Sequence, residues 1–125
     1  MTLKQEQAIF IGASIATWLH VVDEYFSGEP IPAVPILAYL VLNIVVAVFY
    51  QRVRMWRAAA ALLFGLSATA QGLLGHVLPL LQRGAGAGDY SGTFLFVPGG
   101  LVLMGLGLYV VAAALLRRQH LGLQR

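Results

Sequence analysis

Four long apolar runs, separated by short polar or glycine- and proline-containing breaks, set the pattern of this chain. They predict helices over residues 5–27, 32–52, 56–81 and 93–117. At about 1.5 Å per residue, each of the four is long enough to cross a hydrocarbon core of roughly 30 Å. Gly28-Glu29-Pro30 ends the first run, and so short a connection makes the first two helices antiparallel neighbours. The basic turn Gln51 to Arg57, with Trp56 as an interfacial anchor, joins the second to the third. Pro79 is expected to kink or end the third, and the glycine-rich stretch Gln82 to Gly92 forms the one long loop before the fourth. The fold class that follows is all-α, a four-transmembrane-helix bundle in a single domain over residues 1–125.

Composition sharpens this picture. With 59% hydrophobic and 10% charged residues and a mean hydropathy of +0.80, the chain is too apolar for a soluble domain of its size. The first run lacks a small-residue cleavage site and is read as a retained helix. The absence of cysteine removes disulfides, thiolate ligands and a cysteine nucleophile. The net charge of +3 is not spread over a soluble face, which argues against nucleic acid. Instead Lys4, Arg52, Arg54, Arg57, Arg117, Arg118 and Arg125 fall on one side of the bundle and Arg83 alone on the other, so both termini are placed on the cytoplasmic side of the cell membrane.

Ionisable groups inside such runs are expensive and call for compensation. His20, Asp23 and Glu24 stand within one turn of helix one, with His20 three residues from one acid and four from the other. Counting from the helix ends sets His76 of helix three level with His20, about 10 Å below the outer boundary, with Tyr39 near the same layer. Asn43 and Gln71 form a second layer about 17 Å deep. Together they suggest a polar cavity opening outward, with Asp23, Glu24 and Glu29 at its mouth.

Several chemistries fit. His20, Asp23, Glu24 and His76 suit general acid and base catalysis, of an isomerase or cyclase type, on a membrane lipid or lipophilic small molecule oriented by Tyr39, Asn43, Gln71 and Tyr90. His20, Glu24 and His76 also suit a divalent metal, Zn²⁺ or non-haem iron. A small proton-coupled transporter exchanging a proton at Glu24 is a third reading, and a cluster that only holds the bundle together a fourth. Self-association is left open.

His20-Val21-Val22-Asp23-Glu24 resembles the signature of the HXXEE-domain proteins, small four-helix membrane proteins, with Asp23 standing where the family has its first Glu. Asn43 resembles the family's recurrent Asn in helix two, Gly75-His76 its later His, and Asp89-Tyr90-Ser91-Gly92-Thr93 a Tyr-Ser-Pro-Gly stretch whose proline is missing here. That resemblance implies a fold and a candidate site but no settled activity. The His20 and Glu24 spacing is also similar to that of the sterol-isomerase-like EXPERA membrane fold. This likeness implies proton shuffling on a lipophilic substrate, with Glu24 and His20 as the acid and base.

Overall fold

A computed structural model describes residues 1–28, 33–53, 56–86 and 88–122, which leaves Glu29, Pro30, Pro32, Arg54 and Arg125 outside the described residues. The chain is helical throughout, with four helices and no strand among the described residues. They are α1 (Leu3–Phe26), α2 (Ala33–Phe49), α3 (Arg57–Arg83) and α4 (Asp89–Gly122).

Helix α1 begins two residues before the predicted start because Thr2 and Gln5 close a capping box. The Gln5 N–H donates to Thr2 Oγ1 at 3.3 Å, and the Thr2 N–H donates to Gln5 Oε1 at 2.8 Å. Helix α3 continues past Pro79 to Arg83, so the proline does not end it. The reason lies just upstream. Leu73–Val77 forms a single π-helical turn in which the Leu78 N–H reaches back five residues to the Leu73 carbonyl. The regular ladder is already relaxed there, so a proline two residues on has less to break. Helix α4 repeats the device, with a π turn over Gly92–Phe96 followed by Pro98. It also starts at Asp89 rather than 93, which shortens the long loop predicted over 82–92.

The helices alternate in direction. At one end the α-amino group meets Tyr109 Oη of α4 at 3.2 Å, and Glu6 of α1 pairs with Arg57 at the start of α3 at 2.9 Å. Gln7 Nε2 donates to the Ala47 carbonyl of α2 at 2.8 Å. Just inside this end, Phe10, Tyr50 and Phe64 form an aromatic layer, with ring centroids 5.3 and 6.3 Å from that of Phe10. Phe10 and Tyr50 are fully buried in it, together with Leu103 of α4.

The most intimate pair is α3 with α4, followed by α1 with α4, whereas α2 stands further off. Small residues permit that closeness. A Cβ on Gly65 would lie 2.5 Å from the Met104 nitrogen and 2.7 Å from the Gly100 carbonyl oxygen, both backbone atoms that cannot swing aside. Gly65→Ala is therefore expected to lower stability by about 1–3 kcal/mol. Gly105→Ala, where a Cβ meets open space, serves as its control. Thermal melts of both in detergent check this, and equal midpoints would refute the close-packing account.

Both α3 and α4 are long and apolar enough to cross a membrane. Large apolar side chains such as Val48, Leu63, Leu66 and Leu108 cover the outside of the bundle.

Candidate functional site

At the end opposite Glu6 and Arg57, three helices contribute to one cluster. His20 projects from the buried stripe of α1 that also carries Phe10, Ser14 and Thr17. Spacings of three and four residues put this stripe on one helical face. His76 sits within the π turn of α3, and the first turn of α4, Asp89–Ser91, lies between the two, with Asp89 reaching His76 and Ser91 reaching His20. The two imidazole rings meet edge to face, with centroids 4.4 Å apart, and the Phe96 ring lies 4.6 Å from His20. The depth count that set the two histidines level is matched by this contact.

Glycine backbone makes room for the rings. A Cβ on Gly92 would overlap the Cβ, Cγ and Cδ2 of His76. Gly88 has φ +71, which suits a residue without Cβ, and approaches the Glu24 side chain and the His20 ring.

Hydrogen bonds fix how each imidazole is turned. Ser91 Oγ lies 2.5 Å from Asp23 Oδ2, 2.9 Å from His20 Nδ1 and 3.1 Å from the Gly88 carbonyl oxygen. A hydroxyl has one proton to give, and the short contact to a carboxylate takes it. Ser91 therefore accepts from the His20 Nδ1–H, which assigns the free lone pair of His20 to Nε2. Asp89 does the same for His76. Its Oδ1 is 3.3 Å from His76 Nδ1, while its Oδ2 is held by the Gly86 N–H at 2.7 Å. A carboxylate only accepts, so His76 Nδ1 carries the proton and Nε2 the lone pair. Both Nε2 atoms then face Glu24, with His20 Nε2 3.6 Å from Oε2 and His76 Nε2 3.3 Å from Oε1. Candidate ligand atoms of His20, Glu24 and His76 all lie within 4.8 Å of one another. His20 is 1% exposed and His76 12%, so water screens this arrangement weakly.

No protein-family model, curated protein or solved structure matches the chain.

Of the residues singled out in the sequence, His20, Glu24 and His76 come together directly. Asp23 is exposed and, among the described residues, its hydrogen bond to the cluster runs through Ser91. Tyr39 lies one layer deeper, its ring 5.0 Å from that of Phe64 and its hydroxyl in the electrostatic reach of Thr17. Asn43 is fully buried, with neither amide atom paired among the described residues. Gln71 is not brought to this layer. It is exposed and donates to Ser67 Oγ at 2.7 Å, because the buried face of α3 runs through Ala61, Gly65, Ala68 and Gly72. Tyr90 also points away, being 62% exposed. The layer beneath the histidines instead contains Ser14, fully buried and with its hydroxyl unpaired among the described residues.

Asp89 and Ser91 stand out in the sequence only as parts of the Asp89-to-Thr93 stretch, with no sign of a site role. Their neighbour Gly92 and the spacing of two carried the available signal, but nothing local says that one reaches α1 and the other α3.

Proposed function

We propose that the chain is a multi-pass protein of the cytoplasmic membrane, with four spanning helices and both termini inside, which carries out acid and base chemistry on a lipophilic molecule at the outer end of its bundle. The observation that carries this reading is a single carboxylate, Glu24, facing two imidazoles whose other nitrogens are already engaged. Side chains turned so that their proton-exchanging atoms converge on one point are what proton transfer to a bound molecule requires. Ser91, Asp23 and Asp89 act as positioning residues that hold the two rings.

A deeper polar layer supports the substrate class. The Gln7 to Ala47 contact and the Tyr39 to Thr17 approach set the register of α1 against α2, which brings Ser14 and Asn43 to neighbouring heights about 9 Å below His20. Both are fully buried, neutral and offer donors and acceptors, which suits a hydroxyl or carbonyl oxygen on an apolar body. Below them the Phe10, Phe64 and Tyr50 layer closes the way toward Glu6, which favours a dead-end binding site over a transport path. The residues behind the HXXEE resemblance, His20, Asp23, Glu24, Asn43, His76 and Asp89 to Thr93, include most members of this site, and membership of that family is part of the proposal.

The test is an incubation of purified protein with a membrane lipid extract in detergent, followed by untargeted mass spectrometry. Wild type is expected to consume a lipophilic species that Glu24→Gln leaves intact, and Asn43→Leu to raise the apparent KM roughly tenfold. Identical lipid profiles with wild type and Glu24→Gln, and no lipophile retained by the protein, would overturn the reading.

A further inference from the structure

We propose that His20 Nε2, His76 Nε2 and a Glu24 carboxylate oxygen bind a divalent first-row cation. The inference rests on the acid and base reading above and deepens it by naming the group through which the site would act.

The argument starts from what faces what. With both Nδ1 atoms assigned as donors, the cluster turns two imidazole lone pairs and a carboxylate toward one another. Three acceptors at such range repel unless a positive charge lies between them. A single proton, on one Nε2 or on Glu24, would bridge only one of the two imidazole-to-carboxylate contacts, and protonating both Nε2 atoms would have two costs. It would place two cationic rings 4.4 Å apart between centroids, one of them almost fully buried. It would also leave His20 without a proper acceptor, since 3.6 Å to Glu24 Oε2 exceeds the reach of an N–H to oxygen hydrogen bond.

The same spacings suit a shared ion. Bonds of about 2.0–2.1 Å in tetrahedral array put neighbouring ligand atoms about 3.3 Å apart. His20 Nε2 lies 3.6 Å from one Glu24 oxygen and His76 Nε2 3.3 Å from the other, each close to that edge, and one ligand atom from each of the three residues lies within 4.8 Å of the others. The outer contacts match as well. A ligating histidine characteristically gives its second N–H to a carboxylate, directly or through another group, which fixes the tautomer and strengthens the ligand. His76 does so directly to Asp89, and His20 through Ser91 to Asp23. One such pairing would be unremarkable on a protein surface. Two of them, each turning its Nε2 onto the same half-buried carboxylate, make a built site.

Two nitrogens and one oxygen suit Zn²⁺ or Fe²⁺ rather than the oxygen-seeking Mg²⁺ and Ca²⁺, and three protein ligands leave a position open. A cation held there would supply a bound water of lowered pKa or polarise a substrate oxygen.

The experiment is metal analysis of the full chain purified in detergent, then stripping and titration with Zn²⁺ or Fe²⁺ alone against a chromophoric chelator. Wild type is expected to hold about one ion per chain, as a three-ligand site does. His20→Ala and His76→Ala should abolish chelator-resistant binding. Asp89→Asn keeps every ligand and alters the acceptor of His76 Nδ1–H, together with the Gly86 N–H contact, so it should weaken affinity roughly 10–100-fold. His120→Ala, at an exposed histidine near the C-terminal end, should change nothing. Added Zn²⁺ should raise the melting temperature of wild type and leave that of His20→Ala unmoved, which shows specific binding even where another variant folds poorly. Sub-stoichiometric metal after re-addition, or wild-type affinity in Asp89→Asn and His76→Ala, would overturn the proposal. The two readings fail separately. Lipid turnover with no metal bound after re-addition sinks the cation and spares the acid and base site, whereas a tightly bound ion with no turnover does the reverse.

Discussion

Gly92→Ala is expected to dismantle the site while leaving the four helices in place. The added methyl would occupy the space of the His76 ring, and its neighbours there are the ring itself and the His76 Cβ, so the imidazole must be expelled or the π turns must part. Either movement breaks the contacts of His76 with Glu24 and Asp89. Removing one of three ligands should cost at least a hundredfold in cation affinity, on the order of 3 kcal/mol. Overpacking should cost about 1–3 kcal/mol of stability besides. Gly75→Ala, one residue from His76 but facing open space, should behave as wild type. Circular dichroism to show retained helix, with metal titration of both variants, checks this. A Gly92→Ala protein that binds as tightly as Gly75→Ala would mean that the His76 ring is not held where it is described.

The second large effect belongs to the opposite end. Glu6 and Arg57 form an ion pair at 2.9 Å with side-chain exposures of 6% and 18%, beside the fully buried Tyr50. Breaking such a pair on one side strands the other charge in a poor solvent, so Arg57→Met should destabilise by about 3–5 kcal/mol. Glu6→Gln combined with Arg57→Met should recover most of that loss, because no charge is then left unpaired. Denaturant midpoints for the two proteins decide it. If the single variant stays within about 0.5 kcal/mol of wild type, the pair behaves as a solvated surface contact.

Much of the bundle was legible because hydropathy is a local property. The four helices and their order followed from apolar runs, and counting residues from their ends placed His20 and His76 at one height. Height is not direction, however. Gln71 was assigned by depth alone, and the helical wheel that places Ala61, Gly65, Ala68 and Gly72 inward turns it outward. The opposite omission is Ser14, which shares the face of Thr17 and His20 at intervals of three and was passed over because a lone serine in an apolar run carries no charge to draw notice. The π turns were not legible, since no residue type demands one, and they decide both how α3 survives Pro79 and where His76 points. The Glu6 to Arg57 pair is not legible in the sequence because its partners are remote in the chain and each resembles an ordinary interfacial charge.

The chain order of the site has a consequence for assembly. His76 and Asp89 belong to neighbouring helices joined by a brief loop, so their half of the cluster arises as soon as α3 and α4 form a hairpin. His20 is a different case, for seventy-one positions separate it from Ser91. Closing so wide a ring is an entropic burden on a young chain, and any ligand grasped from both sides acts as a late clasp that fastens the first helix to a hairpin already made.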